Sequence, residues 1–271
     1  MKRRYRFERV PLTRFMGRII MKWGGGLISD KTTLCTAEYS TIQSLADCVK
    51  SLSQLGHDIV IVHGAGSFGH IRAREYRLNE GDIGGIDQID GVEQVRSDMN
   101  ELHNLVIESL GPLAIKSHRP RDFVLNTGPD FIGNLDRFLS PGIHITFGDV
   151  VDCETPKNFG ILSGDDLMLR LSVELPDVTH TIFAMSGAAG LMSTADEFGE
   201  LIPLWDDTVA YSGHHAKDVD VTGGIFLKVE RASTIAEHVE HVWLVDGGHP
   251  SRILEIVEKG QSVGTRFAST S

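Results

Sequence analysis

Cysteine is scarce in this chain. Cys35, Cys48 and Cys153 are the only three in 271 residues, and they show neither a close pair nor a metal-ligand spacing. That argues against a disulfide framework and a cysteine-held metal, and reads as a reducing, cytoplasmic compartment. No apolar run approaches the length needed to cross a bilayer. The N-terminal MKRRYRFERVPLTRF is basic but lacks the apolar run of a secretory signal. The twelve histidines form no HExxH array, so no metal-ligating residue is expected. There is no repeat, no low-complexity tract and no composition shift that would mark a linker.

Positive charge is also in short supply. Lys and Arg number 26 against 37 acidic residues, a net of −11. Residues 1–15 hold six of the basic side chains and one acid, so the remainder carries 20 basic and 36 acidic groups, or −16. An acidic body argues against nucleic acid or an anionic membrane as partner. It also makes local gatherings of lysine and glycine amides informative, because an anionic ligand needs them against the general field. Residues 1–17 read as a basic arm and residues 18–271 as one domain.

Apolar β-formers alternate with amphipathic helical segments. Strands are expected at Arg18–Lys22, Asp58–Val62, Phe123–Leu125, Ile143–Phe147, Thr181–Met185, Val242–Val245 and Thr265–Phe267. Helices are expected over about 37–55 (ending at Gly56), 91–110, from Ser163, after Thr222-Gly223-Gly224 to about His238, and over 250–258. Residues 149–162 read as a hairpin turning near Lys157-Asn158. Ser163 with Asp166 three residues on has the form of a capping box. Strands alternating with helices imply an α/β fold, an open and mainly parallel sheet with helices on both faces.

Three glycine-rich segments carry the chemistry. Lys22-Trp23-Gly24-Gly25-Gly26 follows the first strand at the edge where open α/β sheets bind ligands. Consecutive glycines let backbone N–H groups approach a phosphate, and a lysine adds a point charge. His63–His70 (HGAGSFGH) follows the second strand. It fits GxGxxG but is no P-loop, since GxxxxGK[ST] is absent. A dinucleotide site would want an acid after the next strand, and none stands at that distance. Thr222-Gly223-Gly224 opens a helix with Lys228 one turn in, again a phosphate cradle. Ser163-Gly164-Asp165-Asp166 adds a helix N-terminus with two carboxylates. Each alone also reads as an ordinary turn or cap.

Their order is more informative than any one of them. Lys-x-Gly-Gly, HGAGSFGH, Gly148-Asp149, SGDD and DVTGG-xxx-K resemble the amino acid kinase superfamily from about Arg18 to Phe267. The SFGH ending, the nine-residue step from Lys22 to Lys31 and ILSGDDL are similar to archaeal-type isopentenyl phosphate kinases. The resemblance implies an αβα sandwich, with the acceptor bound by the part up to about residue 175 and the nucleotide by the part after it. It implies ATP with Mg²⁺, a small phosphorylated substrate converted to a diphosphate for isoprenoid biosynthesis, and a homodimer. By the same resemblance Lys22 contacts the transferring phosphoryl group, while Lys31 and Lys228 bind the ATP phosphates. Gly24, Gly25, Gly66, Ser186 and Gly224 lie along the nucleotide. Ala65, Gly69, His70 and Gly164 hold the acceptor phosphate, and Asp165 positions the lysines. Ile83, Ile86, Val95 and Met99 are placed to suit an apolar tail, though Val95 and Met99 read first as core.

Three positions depart from the family pattern. Gly26 stands where serine is usual, Ala65 replaces a glycine, and Ser186-Gly187-Ala188-Ala189-Gly190 replaces a TDVDG-like stretch. The last removes aspartates that hold the nucleoside side of ATP. A kinase for another small phosphorylated acceptor and a non-catalytic nucleotide sensor therefore stay open as alternatives.

Overall fold

The computed structural model describes residues 16–84, 87–194, 199–206 and 224–269. Most of the basic arm, Ile86, and Thr222-Gly223 of the third glycine segment lie outside them. The first half of the chain runs β1 (Arg18–Trp23), α1 (Gly25–Ile28), α2 (Tyr39–Gln54), β2 (Asp58–His63), α3 (Gly66–Glu75), α4 (Gln88–Ser109), β3 (Ile115–Ser117), β4 (Val124–Leu125) and β5 (Ile132–Gly133). The second half runs β6 (Ile143–Phe147), β7 (Asp149–Asp152), β8 (Phe159–Leu162), α5 (Gly164–Glu174), β9 (Val178–Met185), β10 (Leu204–Trp205), α6 (Gly224–Ala236), β11 (His241–Asp246), α7 (Ser251–Lys259) and β12 (Thr265–Phe267).

Among the described residues, eight strands form the main sheet in the order β10-β12-β11-β9-β1-β2-β6-β3. All its pairings are parallel except β11 with β12. Both faces are covered, which is why the strands read as near-continuous apolar runs. Along β1, Ile19, Met21 and Trp23 pack under α2, α4 and α7, whereas Ile20 faces α5 and α6. The same alternation puts Ile59 and Ile61 of β2 on the first face and Val60 and Val62 on the second. A smaller sheet, β5-β4-β7-β8, carries the expected hairpin of β7 and β8. Its turn uses Asn158 at φ +58, a left-handed position that asparagine tolerates.

The chain leaves β1 towards β2 on one side and returns later to β9 on the other. The carboxyl end of β1 is thus beside the point where strand order reverses, where such sheets hold ligands. Helix α2 ends as expected, with Gly56 at φ +96 just beyond its last turn. Two expectations need correction. HGAGSFGH is not a glycine loop throughout: from Gly66 it is the first turns of α3. The capping box does not close either. Ser163 Oγ accepts the Asp165 N–H at 3.1 Å, but the Asp166 carboxylate turns away to Arg231 at 2.8 Å. An ion pair to another helix outcompetes the reciprocal cap.

Candidate active site

A cleft open to solvent sits at the carboxyl ends of β1, β2 and β6. One wall is α3 with Ala65, Gly69 and His70; another is α4 with Val95 and Met99; the β7–β8 hairpin closes the third side with Val150 and Ile161. Lys22 and Gly164 lie at its inner end. The expected acceptor residues Ala65, Gly69, His70 and Gly164 are therefore brought together with Lys22. Val95 and Met99 serve both as core and as cleft wall, being nearly fully buried. Ile83 is exposed and does not line the cleft.

Two helices aim charged groups at this inner end. Asp165, in the first turn of α5, meets Lys22 Nζ at 2.6 Å. The same carboxylate accepts from Lys228 Nζ at 3.0 and 3.1 Å. Burial alone would raise the Asp165 pKa, but the two ammonium groups overcome it and hold it at about 2. Among the described residues these two lysines share one carboxylate beside the amino end of α5. One residue on, Asp166 pairs with Arg231, so α5 and α6 are joined by two parallel ion pairs. Arg231 was not expected from the sequence. The signal for it is Lys-x-x-Arg on one helix facing Asp-Asp on another, a spacing that puts both basic residues on one face.

The glycine segments pack against each other backbone to backbone. A Cβ on Gly25 would lie 2.2 Å from Gly66 N, and one on Gly66 would lie 1.9 Å from Ser29 Oγ. Gly66 also holds φ +51, so glycine is required there twice over. Ser29 Oγ accepts the Ser67 N–H at 3.0 Å and donates to Gly25 O at 2.9 Å, pinning the two segments. Gly24 N–H donates to Ala184 O at 2.8 Å, fixing the first loop to β9. Ser186 Oγ donates to Gly26 O at 2.8 Å, which brings the third departing stretch onto the first loop. Lys31 is exposed, yet its stem crosses Gly26: a Cβ there would meet Lys31 Cε at 2.1 Å. Gly224 opens α6 at φ +58.

Two further groups belong to this region. Asp149 lines the cleft and is buried, with Arg121 at 3.2 Å. Burial outweighs Arg121 and pushes its pKa up to about 7. His63, at the end of β2, contacts Gly64 O and His103. Among the described residues no group of three or more His, Cys, Asp or Glu is placed to hold a metal. Both Asp165 oxygens are engaged by lysine, so this carboxylate is not set up as a cation ligand.

An inner end where two lysines meet, glycine backbones in contact and an apolar outer wall suit two phosphates and a small apolar group. Comparison with known proteins agrees. The amino acid kinase family model matches residues 17–246. The isopentenyl phosphate kinase of Thermoplasma acidophilum is 31% identical over 91% of this chain and 98% of its own length. That of Haloferax volcanii is 28% identical over 92% and 98%. A crystal structure titled as an isopentenyl phosphate kinase substrate complex shares the fold at TM-score 0.75, with 24% identity, over 93% of this chain and 99% of that one. No helix among the described residues is long and apolar enough to cross a membrane. With the fold, the order of the glycine segments and the family match all in agreement, the chain belongs to the amino acid kinase family.

Proposed function

We propose that this protein transfers the γ-phosphoryl group of ATP to isopentenyl phosphate, giving isopentenyl diphosphate and ADP. The observation that carries this reading is one cleft lined by the polar Lys22 and His70 together with the apolar Ala73, Val95, Met99, Val150 and Ile161. A monophosphate with a short apolar tail matches both halves. The relatives described above are isopentenyl phosphate kinases along nearly their whole length, which supports the same acceptor.

Phosphoryl transfer depends on in-line positioning and charge neutralisation more than on covalent chemistry. In this reading His70 and the backbone at Ala65, Gly69 and Gly164 hold the acceptor phosphate. Lys22 sits between acceptor and donor and meets the charge of the transferring group. Lys31 and Lys228 neutralise the ATP phosphates, along Gly24, Gly25, Gly66, Ser186 and Gly224. Asp165 sets the directions of Lys22 and Lys228. The acceptor oxygen is already anionic near neutral pH, so no general base is needed. Magnesium enters bound to ATP and neutralises part of its charge.

The acceptor is assigned to the part before about residue 175 and the nucleotide to the part after it. A cytoplasmic homodimer completes the proposal; its mass in solution tests the second word. The direct test of function is incubation with Mg·ATP and isopentenyl phosphate, with the diphosphate measured. Absence of product at high enzyme concentration rejects it. A second reading, another small phosphorylated acceptor, is favoured by the Ser186–Gly190 departure. A panel of monophosphates compared by kcat/KM, with ATP and GTP as donors, separates the two.

A further inference from the structure

His63 is fully buried, yet both its ring nitrogens are engaged. Nδ1 lies 3.2 Å from Gly64 O, and Nε2 lies 3.0 Å from His103 Nδ1. His103 Nε2 in turn lies 2.6 Å from Ser117 Oγ. A carbonyl oxygen only accepts, so His63 Nδ1 carries the proton and Nε2 accepts. His103 Nδ1 must then donate, its Nε2 must accept, and the Ser117 hydroxyl must donate. One tautomer of each neutral ring satisfies the whole chain, which runs from the exposed Ser117 to the second glycine segment. Phe147 stacks on His63 at 4.9 Å and 15° and packs on His103 at 4.6 Å, fixing both rings. The backbone of His63 is tied as well: its carbonyl accepts the Gly148 N–H at 3.2 Å. One residue thus grips the Gly64 carbonyl with its side chain and Gly148 with its main chain, and both neighbouring residues, Ala65 and Asp149, line the cleft.

In a trans peptide the N–H points opposite to the carbonyl before it. Drawing the Gly64 carbonyl inward towards His63 turns the Ala65 N–H outward. Gly64 has no side chain to resist rotation of that peptide, so its orientation needs an external hold. We propose that His63, its tautomer set by His103 and Ser117, is a positioning residue that fixes the Gly64–Ala65 peptide so that the Ala65 N–H faces the acceptor phosphate. The proposal rests on the functional reading above for the identity of that phosphate. It does not rest on it for the peptide's orientation.

Three full-length variants test it. His63→Leu fills the space but removes the donor. His63→Gln keeps a polar tip towards His103 with no donor at the Nδ1 position. His63→Asn keeps an N–H where Nδ1 stood. The expected result is a rise of tenfold or more in the KM for isopentenyl phosphate with His63→Leu and His63→Gln, the KM for ATP staying within twofold. His63→Asn should stay within threefold of the original protein. A drop in kcat with both KM values unchanged, or an Asn variant as impaired as the Leu variant, overturns the proposal. A crystal structure of His63→Leu reads the peptide without any acceptor: a rotated Gly64 carbonyl supports the proposal, and an unrotated one overturns it. If His63→Leu does not fold, His63→Gln is crystallised instead under the same criteria. Should the original protein fail to turn over isopentenyl phosphate, the functional reading falls, and the peptide orientation still decides this inference.

Discussion

The Nζ of Lys22 lies 2.6 Å from Oδ1 of Asp165, and both side chains are nearly excluded from solvent. Lys22 comes from β1 and Asp165 from the first turn of α5, so the contact joins the sheet to the helix beside the cleft. The same carboxylate also holds Lys228 of α6. Three elements distant in sequence converge on one negative charge. The carboxylate directs two ammonium groups and limits their mutual repulsion before any phosphate arrives.

Replacing that carboxylate by an amide tests its role. Asp165→Asn keeps the volume and one acceptor but removes the charge. Lys22 and Lys228 then lose the carboxylate charge they share, and at least one turns away. The expected outcome is a fall in kcat of about 10²–10³, the size seen when one preorganised electrostatic group is removed. Asp165→Ala also breaks buried ion pairs and should cost stability, about 3–5 kcal/mol, measured by denaturant unfolding. Full activity in Asp165→Asn would remove the carboxylate from the mechanism.

His70 gives a separate test of the proposed acceptor side. It lines the cleft from α3, whereas the lysine–carboxylate cluster lies at the inner end. His70→Ala should raise the KM for isopentenyl phosphate by about one to two orders of magnitude, since hydrogen bonds to charged groups contribute about 1.5–3 kcal/mol. ATP binding, measured by calorimetry, should change little. Equal losses in both would place His70 on the nucleotide instead.

Much of this was legible in the sequence because parallel strands buried on two faces leave unmistakable apolar runs. Ile143–Phe147 and Thr265–Phe267 appear with the expected bounds, and β1, β2 and β11 differ by one or two residues at their ends. The helix from Gly66 was hidden because three glycines in eight residues suppress helix propensity; contact with Gly25 and Ser29 overrides it. Strand β3 is only three residues long and barely buried, so no pattern announces it. In the site, Lys22, Lys228 and Asp165 were found through motif order. The chain from His63 through His103 to Ser117 was not, because its members are separated by 40 and 14 positions and meet only in three dimensions.

Buried histidines give the fold a pH dependence. Burial lowers His63, His118 and His180 to about 4 and His103 to about 2, from an ordinary 6.5. Below 6.5 the unfolded chain takes up protons that the folded one refuses. Their contribution to stability is therefore complete above pH 6.5 and is lost as pH falls from 6.5 towards 4. Asp149 acts in the opposite sense. Burial raises it to about 7 from 3.8, so its contribution is complete below 3.8 and is lost as pH rises through 7. With four strongly shifted histidines against one such carboxyl among the described residues, Tm should fall between pH 6.5 and 4.5. Asp149→Asn should steepen that fall by removing the opposing group. A Tm that is flat or rising on acidification would contradict the histidine assignment.

The last test reverses one departure from the family pattern. Gly26 stands where serine is usual, and Gly26→Ser would appear to be a repair. The geometry argues otherwise. A Cβ at Gly26 falls 2.1 Å from Lys31 Cε and 3.2 Å from its Cδ and Cγ. The atom in the way belongs to a flexible, exposed side chain, so the fold can accommodate serine by moving the lysine. Stability should then stay within about 0.5 kcal/mol, as for ordinary surface substitutions. The displaced Lys31 loses its path across the first loop, and if it serves the ATP phosphates the kcat/KM for ATP should fall several-fold. Gly26→Ser should match Lys31→Ala in that loss, and the double variant should be no worse than either, because both act through one side chain. Additive losses would mean that Gly26 and Lys31 act on the nucleotide independently.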